Sequence, residues 1–405
     1  MKASNIDIGD LNPLRILRAI WLRPGISRAE LARGLGLDKS TITKLVPALL
    51  DAGVIADIEK RSSGPNGGRK PISLRINSAY GCVLGLEIQT DCFLATVVDL
   101  DGEVLLQLTE SFDQAGYGLM EGLQKALSVM KRRMKTLSAP LVGIGLGLPG
   151  IVDPHRGMVL ECRPFQIAQP FDFFEELRRR GASGPPELPL LDGIPVMIDN
   201  DARCCCWSVL SHRRGQSPRN FMFLFGELRS FDSTDTSRRD LSVGFGIVLE
   251  GRIYYGDHSA SGEFISAFRG APRDNQFSVT DGEARLIETD PRVRRKVLRE
   301  LAQNAGLLLN VMDVSMMFVG GSILTYAAEL IPLIEEEARR RSTWPTPRSF
   351  TVQPTVHGDH AVAYGAAGMV LERFFAVPDV AGVVSRVQPP IPGLLEIRGL
   401  RSSGP

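Results

Sequence analysis

The segment of residues 26–71 constrains the fold more than any other part of this chain, because helix and turn signals follow one another there at short distances. Ser27 and Glu30 form the S-x-x-E pattern in which two side chains cap the start of a helix. Gly34 and Gly36 predict a tight turn, and the residues after it are apolar at every third or fourth position. This order of helix, turn and helix predicts a domain whose second helix enters the major groove of duplex DNA.

The start of the second helix is polar on its outer face, where such helices usually contact bases and phosphates. The candidate contact residues are Ser40, Thr41, Thr43 and Lys44. Two strand-like segments follow, residues 54–60 and 72–76, joined by a turn rich in Gly, Pro and Asn. Arg69 and Lys70 lie near the tip of this hairpin, so we expect a basic wing that grips the DNA backbone or the minor groove. The alternative is a small helical domain used only for dimerisation, which needs neither the polar helix start nor the basic wing.

Charge is distributed unevenly along the chain. Residues 1–77 hold 13 Lys and Arg against 7 Asp and Glu, a net charge of +6, whereas the 405 residues together carry +1. A basic segment ahead of a mildly acidic remainder favours one polyanion-binding end.

Upstream of the capping pattern, Asn12-Pro13 predicts the start of another helix, with Asn as the cap.

The chain has no stretch of the roughly 18 consecutive apolar residues that suggest a membrane helix, and its first residues lack the apolar segment of a signal peptide. We therefore expect a cytoplasmic protein with no membrane partner.

The six cysteines form no C-x-x-C pair, and Cys204, Cys205 and Cys206 are consecutive. Consecutive helical residues point about 100° apart and cannot converge on one metal. We expect these three to be small buried thiols in a tightly packed helix.

After Gly81 the sequence alternates between strand-like and helix-like segments. The predicted strands are residues 82–88, 93–99, 104–110, 141–146, 196–198, 220–225, 242–255 and 317–319, and the predicted helices include 118–137 and 292–312. The order predicts an α/β fold made of two units in series, each opening with antiparallel strands.

Several motifs of this region, together with the N-terminal one, resemble those of the ROK family (repressors, open reading frames, kinases). They are GGRKP at 67–71, GIGLGLPGIVD at 143–153, IDNDA at 198–202, GFGIVLEGRIYYGDHSASGE at 244–263, FVGGSI at 318–323 and GDHAVAYGAAG at 358–368. The resemblance spans residues 10 to 378 and implies a winged helix-turn-helix followed by a two-lobed actin-like, sugar-kinase (ribonuclease H-like) domain with a ligand cleft between its lobes.

This resemblance divides the chain into four parts. We expect a DNA-binding domain over residues 1–77, a first lobe over 82–199 that is completed by a C-terminal helix at 362–377, and a second lobe over 200–361. Residues 378–405, which hold Pro-Pro and Gly-Pro pairs, lie beyond the usual end of the family, and we expect them to be partly disordered.

The family's two phosphate-binding loops are altered, and glycine is what lets backbone N–H groups approach phosphate closely. Where the first loop reads D-x-G-x-T, this chain has Gln89 in place of glycine and a carboxylate at Asp91. The second loop corresponds to Asp240-Leu241-Ser242, at the end of a polar insertion over residues 227–240. Gly320-Gly321 resembles the nucleotide-side glycine pair, although a simple strand-to-helix turn is the favoured explanation. We therefore expect no ATP binding, no cofactor and no enzymatic activity.

The family's zinc motif is also missing. Ser266 stands where the histidine of G-E-x-x-H would close the motif, and residues 267–278 contain no cysteine. Without soft ligands at short spacing we expect no structural zinc.

The sugar-facing residues are partly kept. By the resemblance, Asn200 and Asp201 correspond to a pair that bonds sugar hydroxyls, with the Asp as the kinases' general base, and Glu263 to another hydroxyl-binding carboxylate. A carboxylate can accept from two adjacent hydroxyls. The alternatives are that Asn200 and Asp201 only cap a helix and that Glu263 is a solvated loop residue. Residues 147–150 are either turn residues or part of the cleft.

The sequence thus predicts a DNA-binding transcription regulator, expected to be a repressor of carbohydrate metabolism, that binds double-stranded operator DNA and a carbohydrate effector. A homodimer or a dimer of dimers is expected, because helix-turn-helix proteins read two half-sites about one turn apart. The alternatives are an ATP-dependent sugar kinase and a regulator whose ROK domain is only a scaffold that no longer binds sugar.

Overall fold

A computed structural model describes residues 8–58, 73–113, 117–183, 193–212, 214–229, 239–270, 274–342 and 349–377. The fold is mixed α/β: a small N-terminal domain precedes two five-stranded sheets, as the sequence predicts. The wing residues Arg69 and Lys70 and the tail at 378–405 lie outside the described residues. Among the helices described, none combines the length and the apolar character needed to cross a membrane.

The N-terminal domain is a winged helix-turn-helix. Its elements are α1 (Ile8–Leu22), β1 (Ile26–Ser27), α2 (Arg28–Leu35), α3 (Lys39–Asp51), β2 (Ile55–Ile58) and β3 (Ser73–Ile76), with β3 between β1 and β2. The predicted cap is present: the backbone N–H of Ser27 donates to Glu30 at 2.8 Å, and that of Glu30 donates to the Ser27 hydroxyl at 3.3 Å. Gly36 ends α2 in the left-handed region, at φ 64°, which favours glycine because it lacks a Cβ.

The prediction that the first helix starts at Asn12-Pro13 is wrong. Helix α1 already begins at Ile8, and Pro13 lies inside it. Pro13 is the sixth residue of the helix, so it lacks the N–H that would donate to the carbonyl of Gly9, and the helix continues with one hydrogen bond fewer. Asn12 instead accepts a hydrogen bond from Arg15 at 3.0 Å.

The first lobe is built on a sheet with the order β11-β7-β4-β5-β6, in which β11, β7 and β4 run parallel and β4, β5 and β6 antiparallel. The sheet strands are β4 (Cys82–Ile88), β5 (Cys92–Asp99), β6 (Val104–Ser111), β7 (Leu141–Leu148) and β11 (Val196–Asn200). Helix α4 (Leu119–Arg133) covers one face with its apolar side. The small elements β8 (Ile151–Asp153), β9 (Met158–Glu161), β10 (Phe171–Asp172) and α5 (Phe173–Ser183) follow β7.

The second lobe is built on a sheet with the order β14-β13-β12-β15-β16. Its elements are β12 (Phe221–Arg229), β13 (Asp240–Leu249), β14 (Arg252–Ile253), α7 (Asp281–Ala284), α8 (Pro291–Val311), β15 (Met316–Gly320), α9 (Ala327–Arg340) and β16 (Thr351–Pro354). The predicted polar insertion over 227–240 is too long. The hairpin continues to the register pair Arg229 with Asp240, because Arg229 is paired with Asp201 and so can be buried within the strand.

Two helices, α6 (Asp201–His212) and α10 (Ala361–Phe374), pack against each other and contact the sheets of both lobes. Their contact is very close, since a Cβ added at Gly365 would lie 1.7 Å from the carbonyl oxygen of Cys204.

The expected role of the three consecutive cysteines is confirmed. All are fully buried free thiols, and burial raises the pKa of each, so they act as small apolar side chains.

The winged domain is packed onto the first lobe around Trp21, which is fully buried at the end of α1. Its indole N–H donates to the carbonyl of Leu100 at 3.1 Å, and its ring stacks on Phe375 at 4.9 Å between centroids. On the same helix, Arg18 pairs with Glu372 at 2.6 Å. The two domains therefore share one hydrophobic core.

Candidate functional site

The outer face of α3 is the candidate DNA-contacting surface. Ile42, Val46 and Leu49 point into the core of the winged domain, which leaves the polar side of the helix in solvent. Ser40, Thr43 and Lys44 are exposed, and Thr41 is half-buried. The structure thus brings the four predicted residues of the helix to one accessible helix start, and Arg69 and Lys70 lie outside the described residues.

The candidate effector site lies at the start of α6, where β11 of the first lobe ends. Asn200 closes the strand, and its side-chain oxygen accepts from the backbone N–H of Arg203 at 3.2 Å, which is an N-cap bond. Its amide donates to the carbonyl of Gly150 at 2.9 Å and to the carboxylate of Asp201 at 2.9 Å. Asn200 therefore caps the helix and also fixes the position of Asp201.

Asp201 is held by an arginine that the sequence analysis did not identify. The guanidinium of Arg229 donates to Asp201 Oδ2 at 2.8 Å, while Asp201 Oδ1 accepts from the backbone N–H of Ala202 at 2.8 Å. Both side chains of the pair are nearly buried, with 11% and 8% of their area exposed. One oxygen of the predicted hydroxyl-binding carboxylate is thus paired with a cation.

A second internal contact fills the place where the glycine pair would hold a phosphate. Glu227 accepts from the backbone N–H of Ser322 at 3.1 Å, directly after Gly320-Gly321. Burial raises the pKa of Glu227, an effect that the neighbouring Arg229 opposes. Glu227 thus places a negative charge beside the glycine pair, while the predicted Asp240 lies in register with Arg229 on the paired strand.

The carboxylate at the end of β4 belongs to the same group. Glu87 is 2% exposed, and burial followed by the proximity of Glu227 raises the pKa of its carboxyl to about 8. Gln89, which stands in place of the first-loop glycine, donates to Glu87 at 2.8 Å. Three acidic side chains thus surround the guanidinium of Arg229 in the cleft, namely Asp201, Glu227 and Glu87. Gln89 holds Glu87 in place.

Arg203 on α6 joins the two lobes behind this group. It is almost completely buried, pairs with Asp199 at 2.6 Å, and donates to the carbonyls of Val152 at 2.6 Å and Ser259 at 2.9 Å. Val152 lies in the first lobe and Ser259 in the loop after β14 of the second, so one side chain holds a strand of one lobe and a loop of the other. Its position one turn after the Asn-Asp pair is the only sequence signal that could have identified it.

Glu263 lies at the cleft with its side chain accessible to solvent. Loss of hydration, followed by the nearby Asp201 carboxylate, raises the pKa of Glu263 to about 7. Its chain is held by a bridge between Gly244 of β13 and Glu263. The structure thus places Asn200, Asp201 and Glu263 in one region, with Arg229 as an additional charged group.

The segment after Glu263 is held by hydrogen bonds between side chains and backbone. The hydroxyl of Ser266 accepts from Asn304 at 3.1 Å, and Asn304 accepts from the backbone N–H of Ala267 at 3.0 Å. Gln276 connects this segment to β13 through both the N–H and the carbonyl of Val243, at 2.7 and 2.8 Å. Among the residues described, no cluster of His, Cys, Asp or Glu is arranged to hold a metal ion.

Two family models match this chain. Residues 10–56 match a winged helix-turn-helix DNA-binding model, and residues 83–225 match the ROK family model. These are the winged domain, and the first lobe together with the beginning of the second.

The chain is similar to xylose repressors of two bacteria. It is 24% identical to that of Staphylococcus xylosus over 62% of this chain and 59% of that protein, less than two thirds of its length. It is 20% identical to that of Caldicellulosiruptor bescii, over 92% of this chain and 98% of that protein.

Its fold is shared by a crystal structure described as a ROK family transcriptional regulator, a homologue of the E. coli MLC protein. The TM-score is 0.63 at 19% identity, over 90% of this chain and 96% of that one. The region of residues 83–225 therefore matches the ROK family, and it follows a winged helix-turn-helix DNA-binding domain.

Proposed function

We propose that this protein is a transcription repressor of carbohydrate metabolism that binds operator DNA through α3 and the wing. Its ROK domain dimerises, binds a sugar or sugar derivative at Asn200, Asp201 and Glu263, and transfers no phosphate. The names of the relatives, xylose repressors, support the class of genes controlled. Because its partner is operator DNA, we place its action in the cytoplasm.

The observation that carries this proposal is the path of α6. The helix begins at Asp201 in the cleft, and Arg214, just beyond its end, contacts the last residues of α1. Arg214 donates to the carbonyl of Trp21 at 3.1 Å, pairs with Asp101 at 3.4 Å, and lies over the Trp21 ring at 5.3 Å. A helix of 12 residues spans about 18 Å. One rigid element thus connects the effector site to the DNA-binding domain.

The mechanism we propose is a shift between two conformations. A sugar hydroxyl that bonds to Asp201 competes with Arg229, so binding changes the contacts of β12 and of the start of α6. A ligand shifts an equilibrium only through a difference in its affinity for the two states. Exchange of the Arg229–Asp201 pair for a bond between the sugar and Asp201 supplies that difference. The resulting shift at the start of α6 is then transmitted through α6 and α10 to α1. In a dimer this changes the distance between the two recognition helices and hence the operator affinity.

The kinase alternative is disfavoured by the two internal contacts. A phosphate at Gly320-Gly321 would compete with Glu227 for the N–H of Ser322, and a substrate hydroxyl would compete with Arg229 for Asp201. Phosphoryl transfer depends mainly on positioning and charge stabilisation. The alternative of a scaffold without a ligand is addressed by the sugar titration below.

The first prediction concerns the DNA-binding face. Replacement of Lys44 by Ala should weaken operator binding and lower the slope of log K against log salt by about one, because each phosphate contact releases condensed counterions. Fluorescence anisotropy with operator DNA over a salt series measures both. Arg132→Ala, which removes an equal charge from the exposed side of α4, is the matched control and should leave the slope unchanged. Equal slopes for Lys44→Ala and the wild type would contradict the assignment.

The second prediction concerns the effector. Operator affinity, measured against a panel of pentoses, hexoses and their derivatives, should fall by about 5- to 150-fold with the correct sugar, the usual range of allosteric coupling. Asp201→Asn should lose this response, because Asn has one acceptor oxygen and no negative charge. Glu336→Gln on the exposed side of α9 is the control and should respond like the wild type. A full sugar response in Asp201→Asn, or none in the wild type with any sugar, would refute the effector site.

The third prediction is that phosphoryl transfer is absent. With ATP, Mg²⁺ and each sugar of the panel, a coupled assay should detect no sugar-dependent ADP, because Glu227 and Arg229 occupy the positions that the phosphate and the hydroxyl need. Sugar-dependent ADP formation that disappears in Asp201→Asn would restore the kinase interpretation.

A further inference from the structure

A second concave surface lies on the outer side of the second lobe, and none of its residues belongs to the cleft. It is formed by α8 and the segment that follows Glu263, and it encloses about 480 Å³. The side chains that define it are Phe268, Arg292, Arg295, Lys296, Arg299 and Gln303. We call this surface the α8 groove.

The α8 groove is strongly cationic because its basic residues share one face of the helix. Arg292, Arg295, Lys296 and Arg299 follow one another at i, i+3, i+4 and i+7, the spacing of neighbouring side chains on a helix. All four are exposed. Like charges at this spacing destabilise a helix. The arrangement is therefore unfavourable for the free protein and favourable for binding an anion.

Carboxylates do not neutralise this face. On the adjacent helix α9, Arg339 pairs with Glu335 at 3.4 Å and Arg340 with Glu337 at 2.8 Å. In the part of the chain that the structure describes, no such pair involves any of the four cations of the α8 groove. The lining carboxylate Glu300 is 5% exposed and accepts from both the N–H and the hydroxyl of Ser278, at 2.8 and 2.5 Å. Glu300 thus fixes the wall of the groove. The four basic side chains and this one carboxylate give the groove a net charge of +3.

The lining also includes an aromatic ring. Phe268 is 51% exposed, and its backbone N–H donates to the Ser266 hydroxyl at 3.2 Å, which ties it to the Ser266 network. The groove thus combines an exposed ring with four cations. Ring faces of this kind stack on planar ligand groups.

We propose that the α8 groove binds a phosphorylated small molecule that carries a planar ring, such as a nucleoside diphosphate. Three of the four cations are arginines, whose planar guanidinium groups match phosphate oxygens two at a time. The volume lies within the usual range for small-molecule sites, about 300–1,000 Å³. The phosphates pair with Arg295, Lys296 and Arg299, and the ring packs on Phe268. This site is separate from the sugar cleft and does not depend on the proposed regulatory function.

Calorimetric titration of the full chain tests this proposal, with inorganic pyrophosphate and uridine diphosphate as probes. Both should bind, and added salt should weaken both because it screens exposed charges. The double variant Arg295→Ala, Arg299→Ala should weaken both by at least about tenfold, the loss expected when charge-assisted hydrogen bonds are removed. Phe268→Ala should weaken only uridine diphosphate. The double variant Arg339→Ala, Arg340→Ala removes the same charge from α9, and its affinity should change less than about twofold because such exposed pairs contribute little.

Three results would overturn the proposal. One is that neither probe binds at millimolar concentration. Another is that the α8 and α9 double variants lose the same affinity, which would mean attraction by net charge alone. The third is that the α8 double variant loses affinity for operator DNA while neither probe binds, which would assign these cations to the DNA backbone.

Discussion

The close contact between α6 and α10 is the constraint on which the rest of the ROK domain depends. Gly365 lies against the backbone of Cys204, and a Cβ at Gly368 would lie 2.3 Å from the hydroxyl of Ser211, so both positions exclude larger residues. On the opposite side of α6 the space is equally small: a Cβ at Gly246 of the second sheet would lie 2.2 Å from the sulfur of Cys206. Side chains as small as the thiols of α6 are therefore needed there. Because the helices are packed this closely and contact both sheets, we expect them to move as one body. This packing is the physical basis of the proposed coupling between the cleft and the winged domain.

One end of this helix pair lies at the proposed effector site, and the other end lies against α1 of the winged domain. At one end, Asp201 is held between Asn200 and Arg229, inside a group of acidic residues that surrounds a single guanidinium. At the other end, Arg214 and Phe375 contact Trp21, and the winged domain has no separate core at this junction. The cleft of a kinase must be free to receive two substrates. Here Arg229 is already paired with Asp201, and Glu227 already accepts from the N–H of Ser322, which supports a site that responds to a ligand and does not transform it.

Local patterns predicted from sequence were confirmed where the interactions that decide them are local. The capping pair Ser27 and Glu30 and the turn at Gly36 depend on neighbours within one or two turns. The Arg229–Asp201 pair joins residues 28 positions apart, and the contact of Glu227 with Ser322 joins residues 95 apart. Neither leaves a local signal, because both depend on how the hairpin of β12 and β13 is placed against α6 and β15. The same reason explains why the hairpin was predicted too short: its polar ends face charged partners from elsewhere in the chain.

The central claim is that the cleft and the DNA-binding face are coupled, and thermodynamic reciprocity tests it most directly. If a sugar lowers operator affinity, then operator DNA must lower sugar affinity by the same factor. Calorimetric titration of the wild-type protein with its effector sugar, alone and saturated with operator DNA, measures this factor. The account predicts sugar affinity about 5- to 150-fold weaker in the DNA complex. Identical sugar affinities with and without operator DNA would contradict it.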